Sequence, residues 1–185
     1  TMAVTDLAIE ALRRMMPPQR VLDLCTGSGC IGLAIAKQVP TARVTLTDVS
    51  EKVLAVARQN MALQKNGIRV SAYRGDVTQP APVFWGKFDL IVSNPPYVTA
   101  QEMRELDSSV RDYEPKLALY GGEDGLDFYR AIIRNFTPAI RPDGFLCLEF
   151  GWKQAEAVGG LLRQAGYHEL RFARDGGGIV RAVIA

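Results

Sequence analysis

The chemistry in this sequence gathers at Asn94-Pro95-Pro96-Tyr97, which follows the run Phe88-Asp89-Leu90-Ile91-Val92-Ser93. The run reads as a buried parallel strand. Paired prolines forbid a helix after it and remove two backbone donors. The residue before a proline is driven towards extended geometry. Asn94 is therefore expected in a stiff, extended turn at the carboxyl end of a strand, the end of an open α/β sheet where ligands bind. Its side chain offers an acceptor oxygen and an NH2 donor. Carbonyls of the proline turn add acceptors, and Tyr97 adds an aromatic face. Such a set can hold a planar group bearing an NH2 and fix its nitrogen in one direction. The competing reading is a proline turn that merely ends a strand.

A second group of candidates lies upstream. Asp23-Leu24-Cys25-Thr26-Gly27-Ser28-Gly29 reads as a strand end running into a loop. Glycines there permit positive φ and close approach of backbone to a ligand. Gly27, Gly29 and Gly32 match the dinucleotide pattern Gly-x-Gly-x-x-Gly, which alone is weak. Asp23, inside the strand, can reach loop amides or an ammonium group, and no second domain is present to carry a hydride acceptor. Both points lead away from a nicotinamide cofactor. Asp48 ends the next strand, where an acidic residue binds ribose hydroxyls. Asp76 ends the third, placed for an adenine amino group. Singly, either is as readily a turn or cap residue. Together, three carboxylates on successive strand ends suit a cofactor with a cationic amino-acid part, a ribose and an adenine.

The elements that must position these residues are legible from periodicity. Helical spacing covers residues 5–16, with Pro17-Pro18 as a stop. Strands are expected at 21–24, 43–47, 70–73, 88–93 and 145–150, with helices at 31–38, after a Ser50 cap, at 126–136 and at 155–165. Val53, Leu54, Ala57, Met61 and Leu63 are assigned to the buried side of the helix after Ser50, which Asn66-Gly67 would end. Pro142-Asp143-Gly144 reads as a turn, and 169–173 with 179–184 as a hairpin across three glycines. Residues 98–125 are long, polar and poor in pattern, as functional loops are. Strands alternating with helices and closing on a hairpin predict a sheet that is parallel except at one edge.

The chain has 185 residues, 48% hydrophobic and 23% charged, with a net charge of +2. That suits one domain with a full core. The small net charge makes no strong case for nucleic acid or an anionic membrane as partner. No run is long enough to cross a bilayer, and no signal peptide is apparent. Cys25, Cys30 and Cys147 lack metal-type spacing; an odd count suggests free thiols in a reducing compartment. No metal site and a cytoplasmic location are therefore expected. His168 reads as structural.

These segments resemble the class I S-adenosylmethionine-dependent methyltransferases, and more narrowly the release-factor glutamine N5-methyltransferases. The resemblance rests on residues 21–29, on Thr47-Asp48-Val49-Ser50 and on Val92-Ser93-Asn94-Pro95-Pro96-Tyr97. It also rests on Val110-Arg111-Asp112-Tyr113-Glu114-Pro115, Gly122-Glu123-Asp124-Gly125-Leu126 and Leu148-Glu149-Phe150-Gly151. It implies an α/β, Rossmann-like sheet of about seven strands, mostly parallel with one antiparallel edge strand and helices on both faces. It implies a catalytic domain over 19–185 after the end of a connecting helix at 1–18, the family's N-terminal helical domain being absent. The cofactor would be S-adenosylmethionine, held by Asp23, Cys25, Thr26, Gly27, Ser28, Gly29, Asp48, Val49, Asp76, Val77 and Asn94. Catalysis would fall to Asn94, Pro95, Pro96 and Tyr97, and the partner would be a peptide chain release factor, with no direct nucleic acid. Cys25 departs from the family's usual glycine.

What the resemblance implies is methyl transfer to a glutamine amide nitrogen, with Asn94 Oδ1 and the Pro95 carbonyl as acceptors for its N–H bonds and Tyr97 packed on the amide plane. Arg111 and Glu114 are candidates for substrate contact or loop ordering. Glu149 is a candidate for orienting the Asn-Pro-Pro-Tyr turn. Asn-Pro-Pro-Tyr also occurs in adenine-N6 methyltransferases of DNA and RNA, which is one alternative; a cofactor-binding, non-catalytic subunit is another.

Overall fold

A computed structural model describes residues 1–64, 69–105 and 116–185. Seven strands form one sheet: β1 (Arg20–Leu24), β2 (Arg43–Asp48), β3 (Val70–Arg74), β4 (Phe88–Ser93), β5 (Ile140–Glu149), β6 (Arg171–Arg174) and β7 (Val180–Ile184). Their spatial order is β3-β2-β1-β4-β5-β7-β6. The first five strands run parallel, and β7 is antiparallel to both β5 and β6. The expected hairpin is β6 with β7; the reversed strand is β7, one place in from the sheet margin.

The helices are α1 (Met2–Leu12), α2 (Cys30–Gln38), α3 (Glu51–Leu63), α4 (Ala100–Glu105), α5 (Lys116–Leu119), α6 (Asp127–Phe136) and α7 (Ala155–Gln164). Alternate residues of the central strands face two separate cores, because side chains on a strand point to opposite faces. Val21, Val44, Leu46, Leu90 and Val92 join α1 and α2 on one side. Leu22, Leu24, Ile91, Leu146 and Leu148 join Tyr129, Ile132 and Phe136 of α6 and Val158 and Leu162 of α7 on the other. The spacing of Tyr129, Ile132 and Phe136 is the three-to-four-residue repeat that puts all three on one helical stripe. Each such side chain contributes about 1.5–3 kcal/mol on full burial.

Two polar groups inside this framework are compensated. Asp89, on the buried strand β4, accepts from the Arg20 amide and from Arg141 Nη1, both at 2.6 Å. Gln19, also buried, donates to the carbonyls of Leu12 and Met15. This second arrangement explains why α1 ends at Leu12 instead of reaching residue 16: Gln19 satisfies the terminal carbonyls, and Met16 is left exposed.

Other local differences have similar causes. Ser50 caps α3 as expected, its Oγ accepting from the Val53 amide. Leu63, assigned to the buried side, is 84% exposed: only Leu54 and Ala57 of α3 are buried, and the helix borders β3, the marginal strand. The Asn66-Gly67 stop lies outside the described residues. Pro142-Asp143-Gly144 does not precede β5 but falls within it. Between Phe88↔Ile140 and Leu90↔Phe145, two steps on β4 meet five on β5. The surplus forms a bulge that brings Arg141 to Asp89. A side chain at Gly144 would stand 2.9 Å from the Asp89 carbonyl, so only glycine fits there.

Candidate active site

The chain leaves β1 towards β2 on one side and adds β4 on the other, so the sheet's topological switch lies between β1 and β4. That is where an open α/β sheet forms a crevice at its carboxyl ends. The register pairs Leu24 with Thr47 and with Ser93, and Asp48 with Arg74. Consequently the 25–29 loop, Asp48, the Gly75-Asp76 turn and Asn94 all follow laterally adjacent strand ends. The structure thus brings together the three carboxylates, the glycine loop and the proline turn that the sequence singles out.

The loop is shaped by its own backbone. Cys25, Gly27 and Gly29 all have positive φ, at 53°, 58° and 84°. A side chain built on Gly27 would meet nothing within 4 Å, so the space above it is open to a ligand. Cys25 adopts a left-handed conformation that costs an L-residue roughly 1–2 kcal/mol; the position is one that glycine would occupy without strain. Burial, followed by the neighbouring Asp48 charge, pushes the Cys25 thiol up to about 12, so it stays protonated.

Asp48 ties the loop to β2. Its Oδ2 accepts from the Gly27 amide at 3.1 Å and its Oδ1 from the Ser50 amide at 3.0 Å. Each carboxylate oxygen keeps a second lone pair for a diol. Asp76 closes the third turn, its Oδ1 accepting from both the amide and hydroxyl of Thr78. Val77 behind it is buried, whereas Val49 is 38% exposed beside Asp48. Ser28 is exposed at the tip of the loop, and its carbonyl accepts from Asn60 Nδ2.

Asp23 is the buried member. Its Oδ2 accepts from Thr26 Oγ1 at 2.6 Å and from the Gly32 amide at 2.9 Å, while Oδ1 has no hydrogen-bond partner. Burial lifts its carboxyl to about 7, against the opposing hydrogen bonds from Thr26 and Gly32 and with the Asp48 charge adding to the rise. A cationic group at Oδ1 would reverse that desolvation cost. The residues therefore fit a cofactor that carries an ammonium, a ribose and a base.

Asn94 Oδ1 is likewise buried and has no hydrogen-bond partner. An unsatisfied buried acceptor costs about 1–3 kcal/mol, and a hydrogen-bond donor brought to Asn94 Oδ1 would offset that cost. Pro95 and Pro96 are buried and Tyr97 is partly so. Ser93 Oγ, donating to the Leu24 carbonyl at 2.8 Å, locks the turn's base to the loop's base across β1 and β4.

The partner that sequence reasoning missed is Gln154. Its Nε2 donates to the carbonyls of Tyr97 and Gly125, at 3.0 and 3.2 Å, and its Oε1 accepts from the Gly151 amide. Gln154 thereby joins the proline turn, the segment before α6 and the exit of β5. The same crowding requires glycine at two positions: a side chain at Gly121 would lie 2.7 Å from Tyr97 Cα, and one at Gly125 would lie 2.4 Å from the Tyr97 carbonyl. The only sequence signal for this was Gly125 itself. Among the described residues no side-chain hydrogen bond joins Glu149 to the turn. The Glu149 carbonyl accepts from the Tyr129 hydroxyl. His168 is exposed between α7 and β6. Arg111 and Glu114 lie outside the described residues.

Residues 3–109, more than half of the chain, match the family described as the methyltransferase small domain. The chain belongs to that family. Among curated proteins it is 42% identical over 174 residues to the release factor glutamine methyltransferase of Geobacter sulfurreducens, covering 94% of this chain and 60% of that relative. It is 36% identical over 184 residues to the protein of the same name from Clostridium acetobutylicum, covering 98% and 65%. The chain thus spans less than two thirds of the length of these relatives. Among solved structures it resembles TrmN from Thermus thermophilus, with 25% identity and a TM-score of 0.63 over 96% of this chain and 46% of that one. The ribosomal protein L11 methylase of Lactobacillus delbrueckii subsp. bulgaricus shares the fold, at 24% identity and a TM-score of 0.65 over 98% and 76%.

Proposed function

We propose that this chain is the catalytic portion, over residues 19–185, of a cytoplasmic release-factor glutamine N5-methyltransferase. It would move a methyl group from S-adenosylmethionine to the side-chain amide nitrogen of a glutamine in a peptide chain release factor. The observation that carries the reading is Asn94 Oδ1, a buried acceptor without a partner at the end of β4, beside a glycine loop flanked by carboxylates. The relatives named for this activity, at 36–43% identity, support the choice of substrate. Among the described residues no helix is long and apolar enough to cross a membrane.

Bound S-adenosylmethionine supplies an electrophilic methyl group on a sulfonium. Asp48 would accept from the ribose hydroxyls, Asp23 would take the ammonium, and Asp76 with Val77 would hold the adenine. At the acceptor end, a glutamine amide nitrogen is a poor nucleophile, because its lone pair is delocalised into the carbonyl. Asn94 Oδ1 and the Pro95 carbonyl would accept its two N–H bonds, orient the nitrogen and stabilise the positive charge that develops on it. Tyr97 packs against the amide plane. Holding the two reactants in line contributes several kcal/mol to lowering the barrier. No general base is required, since the N–H proton becomes acidic after methylation and leaves to water.

The test is mass spectrometry of a purified release factor incubated with this chain and isotopically labelled S-adenosylmethionine. A single labelled methyl on one glutamine is the expected result. No label on the release factor although the cofactor binds would overturn the reading, as would label going to adenine instead when RNA or DNA is added to the same mixture.

A further inference from the structure

Ser28 stands between two glycines of positive φ, Gly27 at 58° and Gly29 at 84°. Glycine takes either sign of φ at little cost, so sterics alone leave the loop several shapes. Hydrogen bonds choose among them. The Gly27 amide donates to Asp48 Oδ2, the Thr26 amide to the Thr47 carbonyl and the Gly29 amide to the Thr26 carbonyl. One further bond comes from a helix: Asn60 Nδ2 donates to the Ser28 carbonyl at 2.8 Å, across 32 residues of sequence.

The periodicity of α3 brings Asn60 to that point. Ala57 and Asn60 are three residues apart and so lie on one stripe of the helix. Ala57 is buried and packs against the loop: a side chain built on Gly29 would stand 3.5 Å from its Cβ. Asn60, on the next turn, is half-buried beside Ser28. The first turn of α3 is fastened to Asp48, whose Oδ1 accepts from the Ser50 amide, and Ser50 in turn caps the helix. The helix is thereby tied to Asp48 at its start and to the tip of the loop near its end.

We propose that Asn60 is a positioning residue for S-adenosylmethionine, acting through the backbone of the loop. The proposal rests on the reading of residues 25–29 as the cofactor loop. The Ser28–Gly29 peptide unit is held at both polar ends, its N–H by the Thr26 carbonyl and its C=O by Asn60. Without Asn60 the carbonyl keeps only water, and the glycines on either side let the unit rotate. The loop then spends part of its time in shapes that do not take the cofactor, and apparent affinity falls with the fraction that remains competent. The bond is not needed to seat α3, whose Leu54 and Ala57 are already buried.

Calorimetry of S-adenosylmethionine binding tests it on this chain. Asn60→Ala should weaken binding by about three- to tenfold, the range of one neutral hydrogen bond. Asn60→Asp, of the same shape but without a donor, should bind no better than the alanine variant, whereas Asn60→Gln keeps the NH2 and should recover most of the affinity. The free variants should melt as wild type does, while the rise in Tm on adding S-adenosylmethionine should shrink for Asn60→Ala and Asn60→Asp. Iodoacetamide should reach Cys25 faster in the free alanine variant than in wild type, because the loop opens more often. An alanine variant that binds as tightly as wild type would overturn the proposal. So would one whose free form melts lower at unchanged affinity, since Asn60 would then be a fold contact. A wild type that does not bind S-adenosylmethionine would overturn the reading of the loop itself, and the proposal with it.

Discussion

Gln154 Nε2 lies 3.0 Å from the Tyr97 carbonyl and donates to it, across 57 residues of sequence. That bond fixes the end of the proline turn that follows Asn94. Gln154→Ala strands two carbonyls and the Gly151 amide, so stability should fall by about 1–3 kcal/mol. If Gln154 positions the turn, kcat should also fall by about tenfold or more at a temperature where the variant is fully folded, with cofactor affinity nearly unchanged. Gln154→Glu keeps the acceptor for Gly151 but loses both donated bonds, so its kcat should resemble that of the alanine variant. A variant with lower stability but unchanged kcat would reduce Gln154 to a fold contact.

Asn94→Ala should lower the single-turnover rate of methyl transfer by about 10²–10³, the usual effect of removing one oriented transition-state partner. Affinity for S-adenosylmethionine should be largely spared, because Asn94 acts chiefly on the target nitrogen. Rates within tenfold of wild type would remove Asn94 from the proposed role.

Asp48→Ala should weaken cofactor binding by about 1.5–3 kcal/mol, the scale of hydrogen bonds to a charged group. The structure adds a second reason for this loss: Asp48 also holds the Gly27 amide, so the loop itself loses an anchor. Calorimetry with equal affinities for wild type and variant would take Asp48 out of the site.

The thiols offer a simpler check. Burial pushes Cys25 up to about 12 and raises Cys147 further, whereas Cys30 is exposed. At mildly alkaline pH, iodoacetamide should modify Cys30 alone in the folded protein, since the thiolate is the reactive form. Labelling of Cys25 at a comparable rate would show that the loop opens.

What the sequence made legible was whatever local chemistry decides. Prolines dictate the turn after β4 whatever surrounds them, and an apolar run such as Leu90-Ile91-Val92 can only be buried. The carboxylates Asp48 and Asp76 were placed correctly because strand ends of a parallel sheet necessarily lie side by side. Gln154 was not legible, because a glutamine has no periodic or conformational signature, and its role exists only once α7 is folded against the turn. Leu63 was misassigned because helical periodicity marks a stripe but not how far the sheet beneath it extends.

Burial of Asp23 makes both stability and cofactor binding depend on pH. Its carboxyl is pushed up to about 7 in the fold from an ordinary value of 3.8, chiefly by burial. Below about pH 4 the group is protonated in both folded and unfolded chains, and its contribution is fully present. As pH rises towards 7 the unfolded chain ionises first, so the fold loses about 1.4 kcal/mol per pH unit until Asp23 itself ionises. Asp23→Asn cannot ionise and should not show this slope. Between pH 5 and pH 7 the stability of wild type should therefore decline relative to the variant by on the order of 2–3 kcal/mol, measured by denaturant unfolding. Binding of a ligand with an ammonium at Oδ1 should pull the proton off. Calorimetry of S-adenosylmethionine binding in buffers of different ionisation enthalpy, at a pH just below 7, should then report proton release by wild type and none by the variant. Parallel pH–stability curves for the two proteins would show that Asp23 is ionised throughout. Equal proton release would show that the ammonium meets some other group.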